Sequence, residues 1–395
     1  MRRCAMSSVG SSSRAARTAL AAFTACAALG ALAGCADSRN ESGIAPQSLT
    51  GIRFLTASPP TGFARATEPR AFTFPADHGA HEGYRTEWWY FTGNLTGSAG
   101  NAYGFELTFF KFALPVAGAT RESRFATDTI WMAHFALTDI AAASFVADER
   151  LSRGTLGLAG ATLAPFRVWV EDWSADGEFG TSARMTLRAA SSDAAIDLEL
   201  SGFERIVLQG EDGLDRKGPE IGNASYYYSA PRLGVTGIVR SGNRAADQVS
   251  GHAWMDREWG TSALSAGVTG WDWFALRLDD GRDLMFYRLR RADGSASSFS
   301  GGTLTDAAGA TRRLRAEDVV LEIAERWQSP ASSVTYPIGW RMRVPAEALD
   351  LVITPSLRDQ ELRLSVRYWE GAVAITGRSA GEEIIGRGYL ELAGY

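Results

Sequence analysis

WWYFTGNL, residues 88 to 95, and WDWFALRL, residues 271 to 278, carry Trp, an aromatic residue, Phe and Leu in register. Alone the match is weak, because such residues recur in any strand. Further matches follow in the same order along the chain. FALTD (135 to 139) meets GTLTD (302 to 306), DWSADG and ARMTLRA meet RWQSP and WRMRVPA, and IDLEL (196 to 200) meets LDLVI (349 to 353). YYYSAPRLGVTG meets RYWEGAVAITG, ending at Gly237 and Gly377, and GHAWMDREWG (251 to 260) meets GRGYLELAGY (386 to 395). The separation falls from 183 residues through 167 and 140 to 135 and never rises. A duplicated unit with longer loops in its first copy leaves this pattern.

The segments between these matches read the same way. Residues 87 to 114 form a strand, a Gly-rich turn and a second strand, and IWMAHFALTDI, FRVWVEDW, RDLMFYRLRR, VVLEIAERW and LRLSVRYWEGAVAITG are further β-like runs. No stretch sustains a helical period. The 12 Trp, 11 Tyr and 19 Phe with 42 Gly suit aromatic strands joined by glycine turns. The reading is an all-β chain of two tandem antiparallel units, residues 66–262 and 263–395. In an up-and-down barrel the first and last strands close the sheet. Glu87, Trp88, Trp89 and Tyr90 then lie beside His252, Trp254, Asp256 and Arg257.

The first 34 residues have Arg2, Arg3, Arg14 and Arg17 before an apolar run too short for a comfortable membrane span, and LAGC at 32 to 35 resembles a lipoprotein lipobox. Cys35 is then the lipidated mature N-terminus, a cleaved non-lipid signal being the alternative. Residues 35–65 read as a flexible tether, and the expected location is the outer membrane, facing the periplasm. Cleavage removes Cys4 and Cys26, which excludes a disulfide or thiolate site from the mature chain. A net charge of -5, from 40 basic and 45 acidic residues well mixed along the chain, excludes a basic stripe for nucleic acid.

GHAWMDREWG concentrates the ionisable groups. Strand alternation puts His252, Trp254, Asp256 and Glu258 on one face, and Ala253, Met255, Arg257 and Trp259 on the other. The polar face is either a salt-bridged closure, with Glu87 and Arg257 as partners, or a site pointing into a barrel. The last strand of the second unit has Arg387, Tyr389 and Glu391 where the first has His252, Trp254 and Asp256. The His and Asp are therefore expected to belong to the first copy alone. His78 and His81 could face one ion from a turn, with Glu87 or Asp256 adding a carboxylate, although HxxH is common without metal; no metal and no cofactor enters the reading. No GxSxG elbow and no phosphate-binding glycine loop occurs.

DHGAHEGYRTEWWYFTGNL, HFALTD, YYYSAPRLGVTG, GHAWMDREWG, GWDWFALRLDDGRDLMFYRLR and the closing GYLELAGY resemble the AttH family of predicted secreted hydrolases, which is related to the carotenoid 1,2-hydratase called hydroxyneurosporene synthase. The resemblance runs from about residue 70 to the C-terminus and implies two lipocalin-like barrels. It also implies hydration of an isoprenoid double bond. That chemistry needs a strong proton donor, a dry pocket and a placed water. In this reading Asp256 donates the proton, His252 orients water or tunes the acid, and Trp254 is the cation platform. The H-x-W of His252 and Trp254 resembles the hydratases, whereas the Tyr-x-Asp expected later falls at Tyr287, followed here by Arg288 and Leu289. Candidate ligand-binding residues are Glu87, Trp88, Trp89, Tyr90, Tyr226, Tyr228, Trp271 and Trp273. The partner is an elongated apolar molecule, isoprenoid or lipid. A non-catalytic carrier, a hydrolase of unknown substrate and a scaffold whose barrels form a protein interface stay open as alternatives.

Overall fold

The computed structural model describes residues 61–115, 123, 125–180, 182–262 and 264–395. Cys35, the signal segment and most of the expected tether lie outside them. Near the end of that tether the Ala64 N–H donates to Gly83 O at 2.8 Å, and the Ala64 carbonyl accepts from Thr261.

Apart from three single turns of 3₁₀ helix, every regular element of the described residues is a β-strand. The first sheet holds β1 (Thr86–Gly97), β2 (Ala102–Ala113), β3 (Thr129–Asp139), β4 (Ser144–Arg153), β5 (Ala159–Leu163), β6 (Phe166–Val170), β7 (Trp173–Glu178), β8 (Arg184–Ala190), β9 (Ala194–Ser201), the short β10 (Val207–Leu208) and β11 (Leu214–Arg216), β12 (Ala224–Ser241) and β13 (Asp247–Gly260). The second holds β14 (Val268–Leu278), β15 (Asp283–Arg291), β16 (Gly301–Thr305), β17 (Thr311–Arg315), β18 (Val320–Gln328), β19 (Thr335–Val344), β20 (Leu349–Pro355), β21 (Glu361–Arg363), β22 (Arg367–Ser379) and β23 (Glu382–Ala393).

Both sheets follow one plan. Three strands meander outward from the first strand, and the rest return to pair the last strand with the first, as β4-β3-β2-β1-β13-β12-β9-β8-β7-β6-β5 and as β17-β16-β15-β14-β23-β22-β20-β19-β18. These are tandem lipocalin-like barrels. The first copy adds the β5–β6 hairpin, and it has two short strands beside β12 where the second has one, β21, beside β22. The expected closure is present, with Trp88 opposite Glu258, Trp89 opposite Arg257 and Tyr90 opposite Asp256.

Neither barrel is hollow. Trp89, Phe91, Phe105, Phe109, Ala253 and Met255 fill the first, together with the inward alternation Ile196, Leu198 and Leu200 of β9. Phe274, Phe286, Trp340, Leu351, Leu390 and Leu392 fill the second. A third apolar cluster joins the outer faces of both sheets, with Tyr90, Tyr227 and Trp254 packed on Trp273, Ala275, Met285 and Tyr389. That seam explains why strands such as β3 are buried along nearly their whole length: one face lines a barrel and the other lines the seam.

Candidate functional site

A cavity of about 190 Å³ opens in the seam, lined from both sheets. The first sheet contributes Trp88, Tyr90, Phe110, His134, Tyr227 and Asp256, and the second contributes Trp271, Trp273, Tyr287, Leu289, Glu370 and Glu391. The face of GHAWMDREWG that carries Asp256 thus points out of its own barrel and toward the other one. Of the two readings of that face, the one in which it points into a barrel is corrected accordingly, because the barrel interiors hold the apolar clusters instead.

Asp256 is 6% exposed. Its Oδ1 accepts from the Trp254 Nε1–H at 2.7 Å and from the Ser229 hydroxyl, and its Oδ2 accepts from the Tyr227 hydroxyl. The Ser229 oxygen in turn accepts from Gln209 Nε2 at 2.9 Å, and Gln209 Oε1 accepts from Thr303 of the second sheet at 2.7 Å. The Tyr227 oxygen accepts from the Trp273 Nε1–H at 3.2 Å. No cation is among these hydrogen-bonding partners. Burial therefore pushes the Asp256 carboxyl up to about 7, against its three donors.

The second copy supplies the equivalent acid. Asp256 pairs with Tyr90 and Ser229, and Glu391 pairs with Trp273 and Glu370, at matching places in the two sheets. The Asp belongs to the first copy alone, Glu391 stands at its place in the second as the sequence match had it, and both acids line the cavity. Burial raises Glu391 despite a Trp271 hydrogen bond, and the Glu258 and Asp256 charges add to the rise. Glu370 is raised well above the carboxylate range by burial and by the nearby Glu106 and Glu391. Between the acids stands an aromatic box: Trp273 meets Tyr90 edge-on at 5.1 Å and Trp254 at 6.3 Å. At the other side of Tyr227, Lys217 lies 2.5 Å from Asp215 and 3.4 Å from Glu258, with its ammonium 4.2 Å from the Tyr287 ring centre. Burial opposes that charge, but the carboxylates outweigh it and hold Lys217 well above the ordinary range, so it is a fixed cation rather than a nucleophile.

Of the residues singled out from sequence, Trp88, Tyr90, Asp256, Trp271 and Trp273 line the cavity. Trp254 stands behind Asp256 and orients it instead of forming a platform in the cavity. His252 is exposed and pairs with Asn94 and Gly234; four residues of strand rise put it about 13 Å from Asp256. Glu87, Trp89, Tyr226 and Tyr228 have the opposite pleat parity and face away from the seam. Tyr226 and Tyr228 pack with Trp259 under the N-terminal segment, where Tyr226 donates to Glu68 O at 3.0 Å and Tyr228 lies 2.6 Å from His78 Nδ1. The cavity tyrosine of that run is Tyr227, one residue out of step with the expected pair.

Glu87 belongs to a buried ionic plug at the end of the first barrel. Arg257 bonds it, Lys111 reaches it at 2.6 Å, and His81 bridges it to Asp77. Burial alone would raise Glu87, but Arg257, His81 and Lys111 outweigh it and hold the carboxyl at about 2. The two histidines of the HxxH do not converge, since His78 stacks on Phe179 and His81 stacks on Trp259. Among the described residues no group of three or more His, Cys, Asp or Glu is placed to hold a metal ion. The departure at Tyr287 is visible in place: Tyr287 donates to Asp215 Oδ1 at 2.7 Å, and Leu289 presents an apolar side chain to the cavity.

The profile described as AttH-like matches residues 65–395. A solved structure from Nitrosomonas europaea, described as AttH, is 36% identical, with a TM-score of 0.74, and covers 84% of this chain and 100% of that one. Kievitone hydratase from Nectria haematococca is 14% identical with a TM-score of 0.63 over 86% of this chain and 98% of its own, a likeness of fold. The kievitone hydratase of Fusarium solani subsp. phaseoli is 21% identical over 220 residues, 52% of this chain and 58% of that protein, so the chain spans little more than half the length of that relative. On the profile match and the AttH likeness, the chain belongs to the AttH-like family.

Proposed function

We propose that the protein is a hydro-lyase of the hydratase kind, adding water to a carbon–carbon double bond held in the seam cavity. The observation that carries this reading is Asp256: a carboxyl on the wall of a largely apolar cavity, bonded by three neutral donors and no cation, which burial pushes up to about 7. Asp256 gives its proton to the alkene carbon, directly or through the Tyr227 hydroxyl bonded to it. The Trp273 and Tyr90 faces stabilise the carbocation. Water adds to the cation and its second proton goes to Glu391 in its ionised form, so one alkene and one water give one alcohol. Kievitone hydratase among the relatives favours this chemistry over a hydrolase, as does the lack of a nucleophile elbow.

The cavity bears on substrate size. An engineered apolar cavity of about 150 Å³ takes a benzene ring, so about 190 Å³ accommodates the reacting end of an isoprenoid while the remainder follows the seam outward. Export and lipid attachment at Cys35 belong to the proposal on the strength of the lipobox. The test is incubation of the purified protein with a panel of neutral isoprenoids and prenylated aromatics in ¹⁸O-labelled water. A product heavier by one labelled water, absent with Asp256→Asn, is expected. Tight binding of a panel member that stays chemically unchanged would turn the reading to a carrier.

A further inference from the structure

Hydration as written leaves each proton in the wrong place. After one turnover Asp256 is ionised and Glu391 is protonated, so the Glu391 side must release a proton before the next cycle. Beside Glu391 on the neighbouring strand is Glu370. Its Oε1 accepts from the Tyr90 hydroxyl, and the Tyr368 hydroxyl is a second side-chain hydrogen-bond partner of the same carboxyl. Two residues along the same strand, the Tyr368 hydroxyl lies 2.7 Å from His134 Nδ1. On the other edge of that imidazole, Nε2 lies 3.2 Å from Glu149 Oε2, which also accepts from the exposed Ser365. His134 is enclosed, with Phe110 edge-on at 5.1 Å and Tyr368 stacked at 5.6 Å. The chain of groups runs from the cavity wall to the protein surface and crosses between the sheets.

We propose that Glu370, Tyr368, His134 and Glu149 form an outward proton relay that discharges the buried acids of the seam cavity to solvent. Chemistry fixes its direction. Burial raises Glu149, but its His134 and Ser365 hydrogen bonds outweigh this and keep it below the usual range, so it is an ionised acceptor. Burial lowers His134 despite the Glu149 carboxylate, so the ring is neutral. An ionised carboxylate only accepts, so the ring proton sits on Nε2 and Nδ1 accepts from Tyr368. Glu370 carries the proton that begins the sequence. The Glu370 proton passes to the Tyr368 oxygen, the Tyr368 proton to Nδ1, and the Nε2 proton to Glu149, which loses it to water. One proton leaves, Glu370 is left ionised and His134 is left protonated on Nδ1; loss of that proton and uptake of one on Nε2, both exchanged with water, restore the starting tautomer. Glu370 then takes up the proton of Glu391.

This inference deepens the hydratase reading, but its test needs no substrate. The full chain is mixed rapidly into D₂O while the C=O stretch of protonated buried carboxyls is followed by infrared spectroscopy, the Glu370 component being the one that Glu370→Gln removes. Glu149→Gln and His134→Gln are expected to slow its exchange by about a hundredfold, on the scale of a lost acid–base step. A merely structural role predicts the opposite sign, because a loosened seam lets water in and speeds exchange. Exchange at the wild-type rate or faster in both variants, or no band lost in Glu370→Gln, would overturn the relay. Slowed exchange without any hydration activity keeps the relay and removes the hydratase reading; hydration with unchanged exchange does the reverse.

Discussion

Two buried carboxyls near the same strand pair show how neighbours decide charge. Glu87 meets Arg257 and Lys111 and is held at about 2, while Asp256 meets three neutral donors and is held at about 7. The linkage runs in opposite directions. Raised from 3.8 to about 7, Asp256 contributes stability that is complete below about pH 4 and disappears as pH rises through 7, ~4 kcal/mol in all. Asp256→Asn should flatten that window in urea titrations at a series of pH values; an unchanged slope between pH 4 and 7 would mean that the carboxyl is ionised throughout. Lowered from 4.5, Glu87 contributes stability above its unfolded value that is lost as pH falls toward 2. Glu87→Gln leaves Arg257 buried without its counter-charge and should cost about 3–5 kcal/mol at neutral pH. The pairing of Glu87 with Arg257 was legible in the sequence, because a closing strand pair brings them together. Tyr227 was hidden, because pleat parity fixes which residues share a face but not which face meets the seam.

Strands announce themselves in sequence when their two faces differ or when both are apolar. β4, SFVADERLSR, does neither: it is an edge strand, half-buried or exposed along its length, and nothing in its pattern singles it out. LRLSVRYWEGAVAITG reads as one run but turns back on itself, Glu361 in β21 pairing with Trp369 in β22. The match of DWSADG to RWQSP also dissolves in the register. Trp173 opens β7 and Trp327 lies near the end of β18; the residues opposite Met185 and Met342 are Gly177 and Leu321. Close approach of elements rests on small residues. A Cβ on Gly104 of β2 would lie 2.5 Å from the Ala372 Cβ of β22. Gly104→Ala should therefore lower the urea midpoint by the equivalent of about 1–3 kcal/mol, as overpacking does, and Ala372→Gly in the same chain should restore much of it. No recovery in the double variant would show that the strain is relieved elsewhere.

At the scale of the molecule the two barrels share one buried seam and lie within one compact unit. Hydrogen bonds cross it at several levels, among them Asn94 to Gly388 O at 3.2 Å, Thr138 to Gln360 at 2.8 Å and Arg232 to Asp283 at 2.7 Å. Calorimetry should therefore show a single thermal transition, with van't Hoff and calorimetric enthalpies in agreement; two separated transitions would mean that each barrel stands without the other. The repeat made the double barrel and its closing strands legible, and the aromatic load marked out Trp88, Tyr90, Trp271 and Trp273. The cavity between the barrels was not legible, because nothing in a single repeat tells an outer face that meets solvent from one that meets its twin. That layout is the layout of a two-fold dimer interface, in which one patch faces its own copy. In a true dimer both acids would be identical and would titrate alike. Joined in one chain, the two halves are free to differ, and Asp256 and Glu391 already do in side-chain length and in hydrogen-bond partners, although burial raises both to about 7: linkage in series lets a self-complementary face acquire a left and a right hand.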